Sequence, residues 1–65
     1  MKLTENVKRI REKKNMTQEQ LSKASGVGRV TISRIETGEL QNTTMDTVSK
    51  LASGLGVDEA ELLSG

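Results

Sequence analysis

The sequence predicts an all-α fold, a compact domain of five short helices. Three observations carry that expectation. Apolar residues recur at helical spacing almost throughout the 65 residues, and no run alternates in the manner of a strand. Three helix starts each carry an apolar pair flanking the first turn: Met16 with Leu21, Val27 with Ile32, and Val57 with Leu62. The chain also has no cysteine, histidine, proline or aromatic residue. Its core must therefore be built from Leu, Ile, Val, Met and Ala alone. A chain of this size buries only about 60% of its unfolded surface. Without a thiol or an imidazole, neither a disulfide nor a transition metal is at hand to compensate.

The elements follow in order. Leu3, Val7 and Ile10 share one face of a first helix, over roughly residues 3–14, closed by Lys13-Lys14-Asn15 with cations at the negative end of the helix dipole. Thr17-Gln18-Glu19-Gln20 is a capping box that opens a second helix. Leu21 and Ala24 form its buried side, and Ser25-Gly26 ends it in a tight turn. A third helix starts near Gly28, buries Ile32 and Ile35, and stops at Thr37-Gly38. Residues 39–43 are polar loop around Leu40. Thr44 caps a fourth helix with Asp46 in its first turn. Met45, Val48, Leu51, Ala52 and Leu55 make the apolar stripe of that helix, and Gly56 follows its end. Asp58 and Glu61 read as a last capping box for a short fifth helix, stapled by Val57 and Leu62.

The net charge of +1 hides an asymmetry. Residues 1–34 carry nine cations against three carboxylates, a net of +6. Residues 35–65 carry one cation against six carboxylates, a net of −5. Such a split points to one face that meets a polyanion, although solvated surface charge alone accounts for many such patterns. No window approaches the ~18 apolar residues of a membrane span. Met1-Lys2 and the charged stretch that follows do not read as a signal peptide. A cytoplasmic protein of one domain, residues 1–65, is expected.

Residues 17–38 carry the most information. They read as helix, four-residue turn, helix, with Gly26 in the turn. So short a turn makes the two helices cross steeply, the helix-turn-helix geometry. On the second of them Ile32 and Ile35 point one way, while Arg29, Val30, Ser33, Arg34 and Thr37 lie on the opposite side. A stripe that is short-chained except for two arginines suits a helix in a DNA major groove, where arginine bridges guanine O6 and N7.

The run from Thr17 to Gly38 closely resembles the helix-turn-helix of the phage lambda-repressor-like (Cro/CI, or XRE) family, above all at Thr31-Ile32-Ser33-Arg34-Ile35-Glu36-Thr37-Gly38. The resemblance extends from about Val7 to Leu63. It implies a five-helix domain that binds double-stranded operator DNA, usually as a dimer, and acts as a repressor in transcription regulation. The docking geometry comes with the family. It places Arg29, Val30, Ser33 and Arg34 at the base edges, with Arg29 in the first turn of the helix nearest them. It also places Arg11 and Glu36 in contact as a structural ion pair.

Phosphate contacts are expected from Thr17 and Gln18 at the free amides of the second helix, and from Thr37 and Asn42. Lys8, Arg9 or Lys13 would add charge nearby. Leu62 is placed to face the core, which leaves Leu40 and Leu63 as candidates for a weak two-fold contact, strengthened on DNA. Three features depart from the family pattern, the third being the loop Glu39-Leu40-Gln41-Asn42-Thr43-Thr44, which has none of the basic residues or proline often found there. Gly28 is a weak cap, Ser22 brings a hydroxyl that needs a partner, and Glu39 would repel phosphate.

An enzyme is not expected. Without His or Cys there is no paired nucleophile and base. Asp58 and Glu61 are explained by capping, and Gly26-Val27-Gly28 lacks the strand and lysine of a phosphate loop. No cofactor or metal is implied. The competing reading is a protein-interaction module of the same fold, an antitoxin or co-regulator component, favoured by the low net charge and the acidic second half. Binding to non-specific duplex at low salt separates the two.

Overall fold

The computed structural model describes residues 3–64; Lys2, one of the cations counted above, lies outside them. Among the described residues there are five helices and no strand: α1 (Leu3–Lys13), α2 (Gln18–Ser25), α3 (Arg29–Thr37), α4 (Met45–Leu55) and α5 (Glu59–Leu63). Gly26, Val27 and Gly28 alone join α2 to α3, one residue fewer than expected, a difference within the ordinary latitude of helix ends.

Local chemistry sets most of the boundaries. Thr17 is extended (φ −80°, ψ 165°); its hydroxyl accepts the Gln20 N–H at 3.0 Å, and the Gln20 side-chain oxygen accepts the Thr17 N–H at 2.8 Å. This is the reciprocal capping box. Thr44 accepts the Thr47 N–H at 3.2 Å in the same way. Gly28 starts α3 with no side-chain cap, as a residue without a side chain must. At the end of α1, Asn15 takes a left-handed φ of 58°. The Met16 N–H then reaches the Arg11 carbonyl at 3.1 Å and the Asn15 N–H the Glu12 carbonyl at 3.0 Å. That is a Schellman motif with asparagine where glycine is commoner.

The core is aliphatic. Leu3, Val7, Ile10, Leu21, Val27, Ile32, Ile35, Val48, Leu51, Ala52, Leu55 and Leu62 are all buried, with Met16, Leu40, Val57 and Leu63 packed against them. Its centre lies where α2 meets α4 and α1 meets α3, with α5 laid across α1 and α4. The inward turn of Ile32 and Ile35 fixes which side of α3 faces out.

Three expectations are corrected. Ala24 is exposed and Ser25 is half-buried in its place. The cause is α4: a Cβ on Gly54 would sit 2.8 Å from Ser25 Cβ and 2.9 Å from its Cα, so the two helices touch through a glycine on the Ser25 side. Met45 is 56% exposed, because nothing among the described residues covers the first turn of α4; the buried stripe begins at Val48. Asp58 makes no side-chain cap bond. In so short a helix the Glu61 N–H is taken at 3.0 Å by the backbone carbonyl of Asp58, which leaves no amide for a capping box.

Two polar groups are satisfied over longer range. The Ser22 hydroxyl donates to the Val27 carbonyl at 2.6 Å, across the turn. Asn6, buried between Leu3 and Val7 on α1, donates to the Leu62 and Ser64 carbonyls at 2.9 and 2.7 Å. It closes the end of α5 from the other end of the chain. No helix among the described residues is long and apolar enough to cross a membrane.

Candidate nucleic-acid interface

With Ile32 and Ile35 buried, α3 turns Arg29, Val30, Arg34 and Thr37 to solvent, with Ser33 half-buried beside them. Val30 is 66% exposed, with Met45 the other large apolar side chain so open to solvent among the described residues. Arg29, Val30, Ser33 and Arg34 line one shallow hollow, so the four expected base-reading residues meet on one surface. A fifth residue shares it. Glu39, expected in the following loop as a residue that would repel phosphate, brings Oε1 to 3.9 Å from Arg34 Nε, with the Arg34 and Glu39 side chains 58% and 68% exposed.

A second hollow opens beside the first, lined by Arg11, Thr17, Gln18, Glu19 and Arg29. It joins the start of α2 to the start of α3, and Arg29 borders both hollows. Beneath it lies the expected ion pair. Arg11 donates from Nε to Glu36 Oε2 at 2.7 Å and from Nη2 to Oε1 at 3.0 Å, with the side chains only 12% and 4% exposed. Nη1 of Arg11 also donates to the Met16 carbonyl at 2.6 Å. The hydrogen bond to Glu36 raises the Arg11 pKa above its ordinary value, against the opposing effect of burial.

Gln18 joins this cluster through a bond that sequence reading missed: Nε2 donates to Glu36 Oε1 at 3.0 Å. One carboxylate on α3 thus holds α1 through Arg11 and the first residue of α2 through Gln18. The signal for it was slight, a glutamine one place after an N-cap and a glutamate eighteen residues on.

The remaining expected residues are placed as follows. Thr17 lines the second hollow while its oxygen caps α2. The Thr37 hydroxyl donates to the Arg34 carbonyl of its own helix at 3.2 Å. Asn42 is exposed in the connection between α3 and α4. Leu40 and Leu63 are each half-buried against the protein's own core. Arg9, Lys13 and Lys14 line a separate hollow with Ile10, Val57, Glu61 and Ser64, and none of these residues borders the α3 hollows. Arg9 and Lys13, two of the cations expected near the start of α2, thus line a hollow apart from it.

A helix-turn-helix family profile matches residues 7–62, all but the two ends of the chain. The uncharacterized HTH-type transcriptional regulator y4dJ of Sinorhizobium fredii is 37% identical over 59 residues, which cover 91% of this chain and 75% of that protein. No solved structure matches the chain significantly. The family profile spans most of the interlocked unit, from Val7 of α1 to the α5 leucine that closes the core, and the chain belongs to the Cro/CI-like helix-turn-helix family.

Proposed function

We propose that the protein is a small transcriptional repressor that binds operator DNA with α3 in the major groove. One observation carries this reading: Arg29, Val30, Ser33 and Arg34 share an exposed surface on a helix whose other side is locked by Ile32, Ile35 and the Glu36 cluster. A major groove ~12 Å wide admits such a helix. Arg29 reads a G·C pair through a bidentate bond to guanine. Val30 meets a thymine methyl or excludes water, and Ser33 makes a single hydrogen bond.

The phosphate on one side is held at the start of α2. Gln18 keeps one side-chain N–H beyond the one it gives to Glu36, and the first amides of the helix are unpaired by geometry. Thr17 can donate its hydroxyl proton while its oxygen caps. Asn42 supplies a donor from the loop. Thr37 is a weaker contact, since reaching a phosphate costs it the bond to the Arg34 carbonyl. Leu40 and Leu63 supply the partly covered apolar surface for a weak dimer, which sets half-sites ~34 Å apart on the duplex. One chain per operator at saturation would end the dimer proposal.

Selection of bound duplexes from a random library tests the reading at its root. It should return a recurring half-site containing a G·C pair. Arg29→Ala should then lose about 1–3 kcal/mol of discrimination at that one position across a panel of single-base variants at fixed salt. Full wild-type preference in Arg29→Ala would refute the role of Arg29. Gln18→Ala should weaken all duplexes about equally, because phosphate contacts position without reading sequence.

A protein-interaction module of the same fold is the second reading, and Glu39 on the α3 surface favours it. A DNA binder should hold non-specific duplex near 10⁻⁴–10⁻⁶ M at moderate salt, and about this level of affinity at low salt is the minimum required. No binding there would favour the interaction module.

A further inference from the structure

Glu39 does not meet Arg34 by chance encounter of two long side chains. Gly38 takes a left-handed φ of 85°, which turns the chain back across the end of α3. The Leu40 N–H then donates to the Arg34 carbonyl at 3.0 Å, and the Leu40 side chain packs on the core. Glu39 is held between these two anchored residues, beside the arginine whose carbonyl receives the returning chain. Its carboxylate lies 3.9 Å from Arg34 Nε, too far for a hydrogen bond and close enough for the charges to act on each other. The hollow on α3 is thus lined by two arginines, Arg29 and Arg34, and one glutamate.

We infer that Glu39 sets the sequence selectivity of this face by cancelling the charge that Arg34 presents to phosphates. The inference rests on the DNA-binding reading above. Attraction of an arginine to a phosphate is an interaction between net charges, and a neighbouring carboxylate offsets it wherever the guanidinium turns to the backbone instead of a base, as it must on sequences that lack its guanine. Hydrogen bonds from a guanidinium to guanine O6 and N7 are short-range and depend on geometry. A carboxylate 3.9 Å away weakens them far less. Arg34 is therefore a poor generic phosphate clamp and keeps its value as a base reader. Discrimination is gained by lowering the affinity for wrong sequences, which is how binding surfaces commonly achieve it.

The test measures binding of wild type, Glu39→Gln, Arg34→Gln and the double variant to two probes across a range of KCl concentrations. One probe is the duplex selected from the random library; the other is a scrambled duplex of the same composition. Both side chains are more than half exposed, so the variants should keep the wild-type fold, checked by circular dichroism melting. Glu39→Gln should tighten binding to the scrambled duplex by about three- to tenfold and steepen its salt slope by about one phosphate's worth. Affinity for the selected duplex should rise by less, so the ratio between probes falls. In the Arg34→Gln background the same change should still relieve the repulsion between Glu39 and phosphate, but on both probes alike, so the ratio between probes should no longer change.

An unchanged scrambled-duplex affinity in Glu39→Gln would overturn the inference. So would an equal gain on both probes, or an undiminished fall in the ratio without Arg34. Wild-type protein that binds neither probe at low salt would instead overturn the DNA reading itself, so the two failures are distinct.

Discussion

Two arginine–glutamate pairs flank α3, alike in chemistry and opposite in setting. Arg11 and Glu36 meet at 2.7 and 3.0 Å in a nearly dry position, and the same carboxylate also accepts from Gln18 at 3.0 Å. Arg34 and Glu39 stand 3.9 Å apart in solvent with no hydrogen bond between them. Removing one member of a buried pair strands the other charge, which costs about 3–5 kcal/mol. An exposed pair is screened by water and contributes ~0–1 kcal/mol. Burial therefore assigns the roles. The inner pair fixes the helices against one another with its hydrogen-bonding groups largely committed inside the protein, while the outer pair adds little to stability and is free to act on whatever α3 touches.

The strongest way to break this contrast is at the inner pair. Arg11→Met or Glu36→Gln should each lower the unfolding free energy by about 3 kcal/mol in urea denaturation, a large share of what a domain of this size possesses. The double variant should lose far less than the sum of the two singles. A coupling near zero in this cycle would show the pair to be two independent charges.

The inner pair also has a defined pH behaviour. Because the Arg11 pKa is raised on folding, its contribution is fully present below the ordinary guanidinium value and is lost only as pH climbs through the raised one. The stability difference between wild type and Arg11→Met should accordingly stay constant from about pH 7 to 10 on the guanidinium side. A difference that shrinks through that window would assign the effect to another group.

An intermediate effect is expected where α2 is seated from its other side. Gly54→Ala places a Cβ under 3 Å from the backbone of Ser25, so α2 and α4 must move apart. The cost should be about 1–3 kcal/mol, read as a lower melting temperature. If the cost falls below that of an exposed substitution, α2 is positioned by the Glu36 cluster alone.

The smallest effect sharpens the contrast. Arg34→Gln and Glu39→Gln should each change stability by no more than about 0.5 kcal/mol, with a coupling of similar size. A measured coupling above about 1 kcal/mol would make the outer pair structural as well, and the division of roles between the pairs would fail.

Much of the fold was legible because its signals are local. Thr17 and Gln20 are three residues apart, and the box they form needs no other part of the chain. The staple pairs at the starts of α2, α3 and α5 identified Leu21, Val27, Ile32 and Leu62, all of them buried. Asp58 shows the limit of the same logic, since the Glu61 amide that a capping box needs is taken by the Asp58 backbone carbonyl instead of its side chain. Ala24 shows another, since helical periodicity marks an apolar side but not where along it a neighbouring helix comes closest. On α3 the outward stripe was legible, because the two isoleucines fix the rotation of the helix. The carboxylate beside it was not, because Glu39 arrives through a turn after the helix has ended.

By itself the sequence determined where helices begin and end, which side of each is apolar, and that α3 presents two arginines outward. These follow from hydrogen bonds and periodicities within a few residues, where the backbone fixes the distances in advance. Tertiary structure alone decided that Asn6 closes α5, that Gly54 is the point of contact with Ser25, and that Gln18 joins the expected Arg11–Glu36 pair. Each joins residues distant in sequence, and hydrogen bonding, steric contact and desolvation act only over a few ångströms. Which distant groups come within that range is set by how the whole core packs.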